Sequence, residues 1–339
     1  MENNKSKKRV RRSNQLTDLE QKIKKFLNTT KSIEEICNKF NMSPKQVKEI
    51  IQKLKEKRYN VRISRKNTLE LDPLLPQGGT DVLDLSKFQN KIYKIGFVTD
   101  THLNSKYERL DVLNALYDIF EKDGITNVYH AGNWVDGECS FNKYDLFNVG
   151  IDAQIDYFIK NYPRKPNITT KFIAGDDHEG WWVKREKINV GEYMQFKAEE
   201  AGRNDLKYLG YIEADIILKA KKGEAKMKIM HPGGGSAYAL SYAPQKIVES
   251  FTTGEVPQIL LLGHYHKAEF LPAYRHVHIV QGGTTQDQTP YMRKKKIAAH
   301  LGGWILEFQQ SIDGTINRFR AEFISFQNKS EYKNNGFYR

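Results

Sequence analysis

Five short apolar runs in this 339-residue chain each end in a residue able to hold a metal ion. They are FVTDTH with Asp100 and His102, VYHAGN with Asn133, FIAGDDH with Asp177 and His178, IMH with His231, and LLLGHYH with His264 and His266. Runs of this kind read as buried strands, and ligands gathered at strand ends can share one pocket although they lie far apart in sequence. Carboxylates with imidazoles suit hard or borderline divalent ions, and with only two cysteines a thiolate site is excluded. So many ligands exceed the needs of one ion. Two adjacent ions sharing an oxygen bridge would use them all and could clamp the attacking and leaving oxygens of a phosphoryl displacement. Asp100-x-His102 and His264-x-His266 are each expected to place two ligands on one side of an extended strand end.

In order, these motifs resemble the pattern D-x-H, G-D-x-x-D, G-N-H-[DE], H, G-H-x-H of the calcineurin-like metallophosphoesterases, which include the SbcD-type nucleases. The resemblance covers residues 91 to 327. It implies that Asp100, His102 and His266 hold a first metal and that Asp177, His231 and His264 hold a second. Position 133 would bridge them, and His178 would stand beside the reacting phosphate. It also implies a four-layer α/β/β/α sandwich and two divalent ions, manganese first, with zinc, iron and magnesium as the other candidates. Two positions depart from the pattern: Asn133 stands where the family has its bridging Asp, and GDDHE places Asp177 where the family has Asn. A neutral amide bridges more weakly than a carboxylate, while Asp177 keeps the number of carboxylates around the metals at two.

The expected chemistry is hydrolysis of a phosphodiester by water that the metals acidify. His178 protonates or stabilises the leaving oxygen, and Glu179 holds its ring. Asp136 is expected to orient a ligand or a water from behind, and His130, His276, His278 and His300 to be structural. Of the adjacent Trp181 and Trp182, read as strand residues on opposite faces, one is expected to be buried and one free to stack on an unpaired base. The glycines after His231 let the backbone turn near the metals. Lys184, Arg185, Lys187 and the run Arg293-Lys294-Lys295-Lys296 are candidates for a phosphate track or a solvated surface.

Charge supplies a second clue. Residues 1 to 66 carry 20 Lys and Arg against 7 Asp and Glu, so the whole +13 of the chain resides there, and the remaining residues carry 34 of each sign. A balanced body with one basic appendage points to a polyanionic partner. Residues 1 to 14 are a charged arm without apolar period. From 15 to 72 the pattern predicts three short helices, with Ser32 and Ser43 as caps, and a hairpin over 59 to 72 that turns near Lys66-Asn67. On the third helix Val47, Ile50, Ile51 and Leu54 face inward, and Lys45, Lys48, Lys53, Lys55 and Lys57 face out. The segment resembles a winged helix-turn-helix, which implies backbone-dominated DNA contact through Lys45, Lys48, Lys53, Lys55, Arg62, Arg65 and Lys66.

Residues 73 to 90, with two prolines and Gly78-Gly79, read as a linker, and 91 to 339 as the catalytic domain. That domain begins with alternating strands and helices, 147 to 161 among the helices. It ends strand-rich, with one helix near 241 to 252. No apolar leader or membrane-length run occurs, so a cytoplasmic protein of bacterial or phage DNA metabolism is expected. The function expected is a DNA nuclease. A phosphatase of another substrate class and a catalytically impaired DNA-binding protein, impaired through Asn133, are the alternatives.

Overall fold

The computed structural model describes residues 16–64, 68–72, 75, 78–235 and 237–326. The basic arm, Arg65, Lys66 and the turn expected at Lys66-Asn67 lie outside the described residues. The chain divides into two compact units, Met1–Pro73 and Leu74–Arg339.

In the first unit the helices α1 (Asp18–Phe26), α2 (Ile33–Phe40) and α3 (Pro44–Glu56) follow from local rules. Thr17, Ser32 and Ser43 each accept a hydrogen bond from the backbone three residues on, and Glu20, Glu35 and Gln46 reciprocate, closing three capping boxes that start these helices. Their apolar stripes meet in a core of Ile23, Leu27, Ile36, Val47 and Leu54, which exposes none of these side chains. Strand β1 (Lys31–Ser32) pairs with β3 (Thr68–Leu71), which pairs with β2 (Val61–Ile63), all antiparallel. Two residues are too few to show a period, so β1 has no signal in the sequence. Lys45, Lys48, Lys53 and Lys55 are exposed along α3. Lys57 departs from the outward placement expected: it turns to the buried Glu20 at 2.7 Å.

The second unit runs β4 (Thr80–Asp84), β5 (Ile92–Val98), α4 (Leu110–Lys122), β6 (Asn127–Ala131), α5 (Ile151–Asn161), β7 (Thr169–Ala174), α6 (Gly180–Glu186), α7 (Val190–Glu200), β8 (Leu206–Tyr211) and β9 (Glu213–Lys219). It continues β10 (Glu224–Met230), α8 (Tyr242–Ser250), β11 (Ile259–Leu262), β12 (Ala268–Tyr274), β13 (Val277–Gly282), α9 (Pro290–Lys295), β14 (Gly302–Gln310) and β15 (Ile316–Ser325). Two six-stranded mixed sheets result, ordered β15-β14-β5-β6-β7-β8 and β12-β13-β11-β10-β9-β4.

The sheets pack face to face. Ile95, Phe97 and Ile173 of the first share one buried cluster with Ile216, Met227 and Ile259 of the second. On β11 the alternation is visible: Ile259 and Leu261 enter that cluster, whereas Leu260 and Leu262 point the other way, into a second cluster with Val248 of α8. Helices α4 and α7 lie against the first sheet, and α5 packs on α7. The layers are therefore α/β/β/α.

Within the first sheet β5, β6, β7 and β8 are parallel, and within the second β10, β11 and β13 are parallel. Their C-terminal ends carry the chemistry-bearing loops to one edge of the sandwich. The linker expectation is corrected here. Residues 80–84 are not linker but strand β4, parallel to β9, with Leu83 in the central cluster and Asp81 paired to Lys171 at 2.5 Å. Five residues containing two aspartates carry too weak an apolar pattern to announce a strand. The partner β9 supplies what the local sequence lacks.

Cys37 and Cys139 are both free and lie in different units. Among the described residues no helix is long and apolar enough to cross a membrane.

Candidate metal centre

Each expected ligand sits one to four residues beyond a strand: Asp100 and His102 after β5, Asn133 after β6, Asp177 and His178 after β7, His231 after β10, and His264 and His266 after β11. The way they enter the pocket differs from the expectation of a shared face on an extended strand. Asp100, His102, Asn133, His178, His264 and His266 all have φ between 45° and 81°, in the left-handed region. Asn, Asp and His tolerate that region better than most side chains, yet each such residue still costs about 1–3 kcal/mol unless its surroundings hold it. Here the surroundings do hold it. Asp100 N donates to Gly132 O (3.0 Å) and His102 N to Asn133 O (2.9 Å), and Thr284 Oγ1 donates to Asp100 O (2.6 Å).

The expected ligand atoms form two groups, beside a third group of His102, Asp136 and His178. In the first, His102 Nε2 lies 3.1 Å from His266 Nε2, and Asp100 Oδ1 lies 3.4 Å from His266 Nε2 and 3.8 Å from His102 Nε2. In the second, Asp177 Oδ1 faces His231 Nε2 at 3.2 Å and Asp177 Oδ2 faces His264 Nδ1 at 3.4 Å. Each set of three places its ligand atoms within 4.8 Å of one another. Asn133 joins the first group, its Nδ2 donating to Asp100 Oδ1 (3.3 Å), and its Oδ1 is buried without a partner.

The orientation of three of the four candidate imidazole ligands is set by a hydrogen bond behind the ring, whereas His266 Nδ1 is buried without a partner. His102 Nδ1 donates to Asp136 Oδ1 (3.0 Å), His231 Nδ1 to the Ala131 carbonyl (2.6 Å) and His264 Nε2 to the Gly234 carbonyl (2.8 Å). The remaining nitrogen of each ring is thereby turned toward the ligand cluster, the usual arrangement behind a metal-binding histidine. Among buried atoms in the cluster, Asn133 Oδ1 has no hydrogen-bond partner, and Asp177 Oδ1 and His231 Nε2 face only each other at 3.2 Å. Buried polar atoms are rarely left so, and a cation among them satisfies all three. The residues present therefore fit divalent metals.

Burial opposes ionisation of Asp100, but His266, His231 and His102 hold its carboxyl well below the usual carboxylate range. Asp177 is likewise held far down, against its burial, by His231 and His264. Burial and the charge of His178 push His102 down to about 4, so its ring is neutral. Burial also disfavours charge on His231 and His178. Asp177 nevertheless raises His231 to about 10, and Asp136 raises His178 to about 9.

His178 is anchored from behind. Its Nδ1 donates to the Asp136 carbonyl (2.8 Å) and lies 3.4 Å from Asp136 Oδ1. Asp136 itself is fixed by Asn142 (3.0 and 3.2 Å) and by Gln286 (3.5 Å), so one buried residue orients both His102 and His178. Glu179 does something other than the ring-holding expected of it. Its Oε1 accepts from Asn133 N (2.9 Å) and Gly175 N (2.8 Å), tying the loops after β6 and β7 together. It begins α6 with its side chain folded back under the loop, which takes it away from the cleft.

Gly175 is required where it stands, since a Cβ there would approach Asn133 Oδ1 to 2.8 Å and His231 Cδ2 to 2.9 Å. His130 packs inside the sheet against Thr101 (3.0 Å). His278 stacks on Phe319 with ring centroids 4.7 Å apart, and His300 Nδ1 accepts from Ala268 N. His276 lies in the turn between β12 and β13.

Trp181 and Trp182 belong to α6, not to a strand, because the glycine-led GWWVKRE turns as a short helix. Trp182 is fully buried, whereas Trp181 lines the cleft with its ring 4.7 Å from that of His178. Arg185 lies 3.6 Å from Glu138 and Lys184 3.5 Å from Asp176, and both side chains keep about half of their surface exposed. Asn142, Gln286 and Thr284 carried no motif. Thr284 and Gln286 follow the apolar run VHIVQGG, and reading that run as a sixth strand end would have found them.

No protein-family model and no curated protein matches the chain. Solved structures resemble it distantly, each covering 69% of this chain. One is a conserved uncharacterised protein of Streptococcus pneumoniae described as a predicted phosphoesterase, at 10% identity, TM-score 0.33 and 98% of that chain. Another is Chaetomium thermophilum Vps29, at 12% identity, TM-score 0.34 and 96% of that chain. A third is the 5'-nucleotidase precursor of Thermus thermophilus, at 13% identity and TM-score 0.34, with 54% of that chain covered. At these TM-scores the likeness assigns no family.

Because His231 is protonated well above neutrality in the metal-free protein, metal uptake must displace protons. Affinity for Mn2+ is therefore expected to fall as pH drops from 9 to 6, by about tenfold per unit for each proton released. Titration calorimetry in buffers of different ionisation enthalpy reads that number directly. Binding independent of pH across this window contradicts the assigned ligand set.

Proposed function

We propose that the chain is a metal-dependent phosphodiesterase of the calcineurin-like metallophosphoesterase type. It holds two divalent ions, manganese first among them, and acts on DNA as an SbcD-like nuclease. The observation that supports this most is the pair of triads, Asp100-His102-His266 and Asp177-His231-His264, together with the unpartnered amide oxygen of Asn133. Two ions held there would acidify a shared water and draw charge from the phosphate oxygens.

The chain's own residues set up the rest. Asp136 accepts the Nδ1–H of His102 on its carboxylate and that of His178 on its backbone carbonyl, so His178 offers Nε2 to the cleft, where it donates a proton or a hydrogen bond to the leaving oxygen. Glu179 keeps Asn133 and Gly175 at fixed separation, which holds the bridging position between the triads. Asn133 contributes a neutral oxygen where a carboxylate would bind more strongly, and this favours, as a second reading, a DNA-binding protein with slow turnover.

DNA is the proposed substrate because the basic surplus is confined to residues 1 to 66, nearly all of the first unit. There the capped helices and the β2–β3 strands are compatible with a winged helix-turn-helix, and Lys45, Lys48, Lys53 and Lys55 stand exposed along α3. Arg62, paired with Asp72 at 2.9 Å but two-thirds exposed, adds to that surface. Contact of this kind is backbone-dominated and weakly specific. A role in bacterial or phage DNA metabolism, in the cytoplasm, follows from that substrate.

His178→Ala is expected to lower kcat by about 10²–10⁴-fold with metal content unchanged; full activity in this variant removes the role assigned to the ring. Asn133→Asp is expected to raise both metal affinity and hydrolysis, and equal activity in the two forms shows that position 133 does not limit turnover. Changing Lys45, Lys48, Lys53 and Lys55 together to Gln is expected to flatten the dependence of log K on log salt for duplex DNA, by ~0.9 for each phosphate no longer neutralised. An unchanged slope places the DNA-binding surface elsewhere.

A further inference from the structure

The cleft, about 280 Å³, is lined by His102, Asn133, Asp177, His264 and His266 and also by the rings of Phe141, Trp181 and Tyr291. Phe141 and Tyr291 are stacked with centroids 5.1 Å apart and planes 21° from parallel. Trp181 meets Phe141 edge-on at 5.6 Å and lies 4.7 Å from His178. A continuous row of rings thus runs from His178, assigned beside the reacting phosphate, to the mouth of the cleft. Phe141 is 51% and Tyr291 47% exposed, although the two residues lie 150 positions apart and nothing in the core requires them to meet. Tyr291 also opens α9, whose last turn carries the exposed Arg293, Lys294 and Lys295.

We propose that Phe141, Tyr291 and Trp181 form a base-stacking subsite that holds the unpaired nucleobase adjoining the phosphodiester to be cleaved. The inference rests on the phosphodiesterase reading above and deepens it, since it makes the substrate a single-stranded or frayed end. Flat rings offered at the mouth suit a planar π-face, and an aliphatic ligand would gain nothing from their parallel alignment. The positive turn of α9 suits the phosphates flanking that base. A paired base has both faces covered by its neighbours and cannot enter, so duplex DNA must present an unstacked nucleotide here.

The test compares the full chain with Phe141→Ala, Tyr291→Ala and Tyr291→Trp on a thymidine dinucleotide and on the same dinucleotide lacking both bases, with Mn2+. The original protein is expected to favour the base-bearing substrate by about tenfold in kcat/KM, carried by KM. Both alanine variants lose that preference, while Tyr291→Trp retains it. Equal handling of the two substrates by the original protein, or a preference that survives both alanine changes, overturns the subsite.

Equilibrium dialysis of thymidine 5'-phosphate against deoxyribose 5-phosphate, with and without Mn2+, reads stacking without turnover. Tighter binding of the nucleotide that disappears in the alanine variants supports the subsite, and equal binding of both ligands sinks it. If neither dinucleotide is hydrolysed, the phosphodiesterase reading fails while dialysis still decides the stacking. Phe141→Leu and Tyr291→Leu retain most of the side-chain volume, so a loss caused by unfolding is distinguishable by thermal melting.

Discussion

The site depends on one backbone device: the chain turns into the left-handed region immediately beyond several parallel strands. A strand that simply continued would carry its alternate side chains to opposite faces of the sheet, and the ligands would scatter. Turning at Asp100, Asn133 and His264 instead folds each loop across the strand ends and points successive ligands inward. Six non-glycine residues in that conformation would each cost about 1–3 kcal/mol in isolation. They persist because these turns are tied to their neighbours by backbone hydrogen bonds and by the clamps of Thr284 and Glu179. Among the described residues, these six are part of a wider set of sixteen non-glycine residues with positive φ, and Asp177 and His231 enter the site without it.

The sandwich makes this device useful. Ligands of one triad come from both sheets, Asp100 and His102 from the first and His266 from the second, and the same is true of Asp177 with His231 and His264. The two triads can therefore form only when the sheets are packed. The apolar cluster shared by Phe97, Ile173, Met227 and Leu261 sets their separation. Hydrophobic burial, non-directional by itself, thus fixes distances that electrostatics then exploits. Around the candidate ligands, hydrogen-bond acceptors orient His102, His231 and His264, with Asp136 serving His102 and His178 at once.

What was legible without coordinates is the order of the motifs and the residue types they carry. Asp100, His102, Asn133, Asp177, His178, His231, His264 and His266 all follow apolar runs, and the structure brings Asp100, His102 and His266 together in one group and Asp177, His231 and His264 in another. The layered α/β/β/α arrangement and the three capped helices were legible as well, since periods of two and of 3.6, with their caps, are local properties. Strand β4 was not, because its membership depends on β9, far along the chain, supplying the hydrogen bonds. Nor was Lys57, whose outward position on the helix is overridden by Glu20 beneath it.

What the amino-acid sequence alone determined is the inventory: which side chains can bind cations, which runs become strands and helices, and that the surplus of positive charge is confined to residues 1 to 66. Only the tertiary structure decided how these are used. It took Glu179 from the ring it was expected to hold and set it between two loops, put Trp181 on a helix beside His178, and stacked Phe141 on Tyr291 from 150 residues away. The reason is physical. Residue type and spacing govern interactions within a turn or two of the chain, whereas ring stacking, shared carboxylates and left-handed turns are selected by neighbours that packing alone brings within a few ångströms.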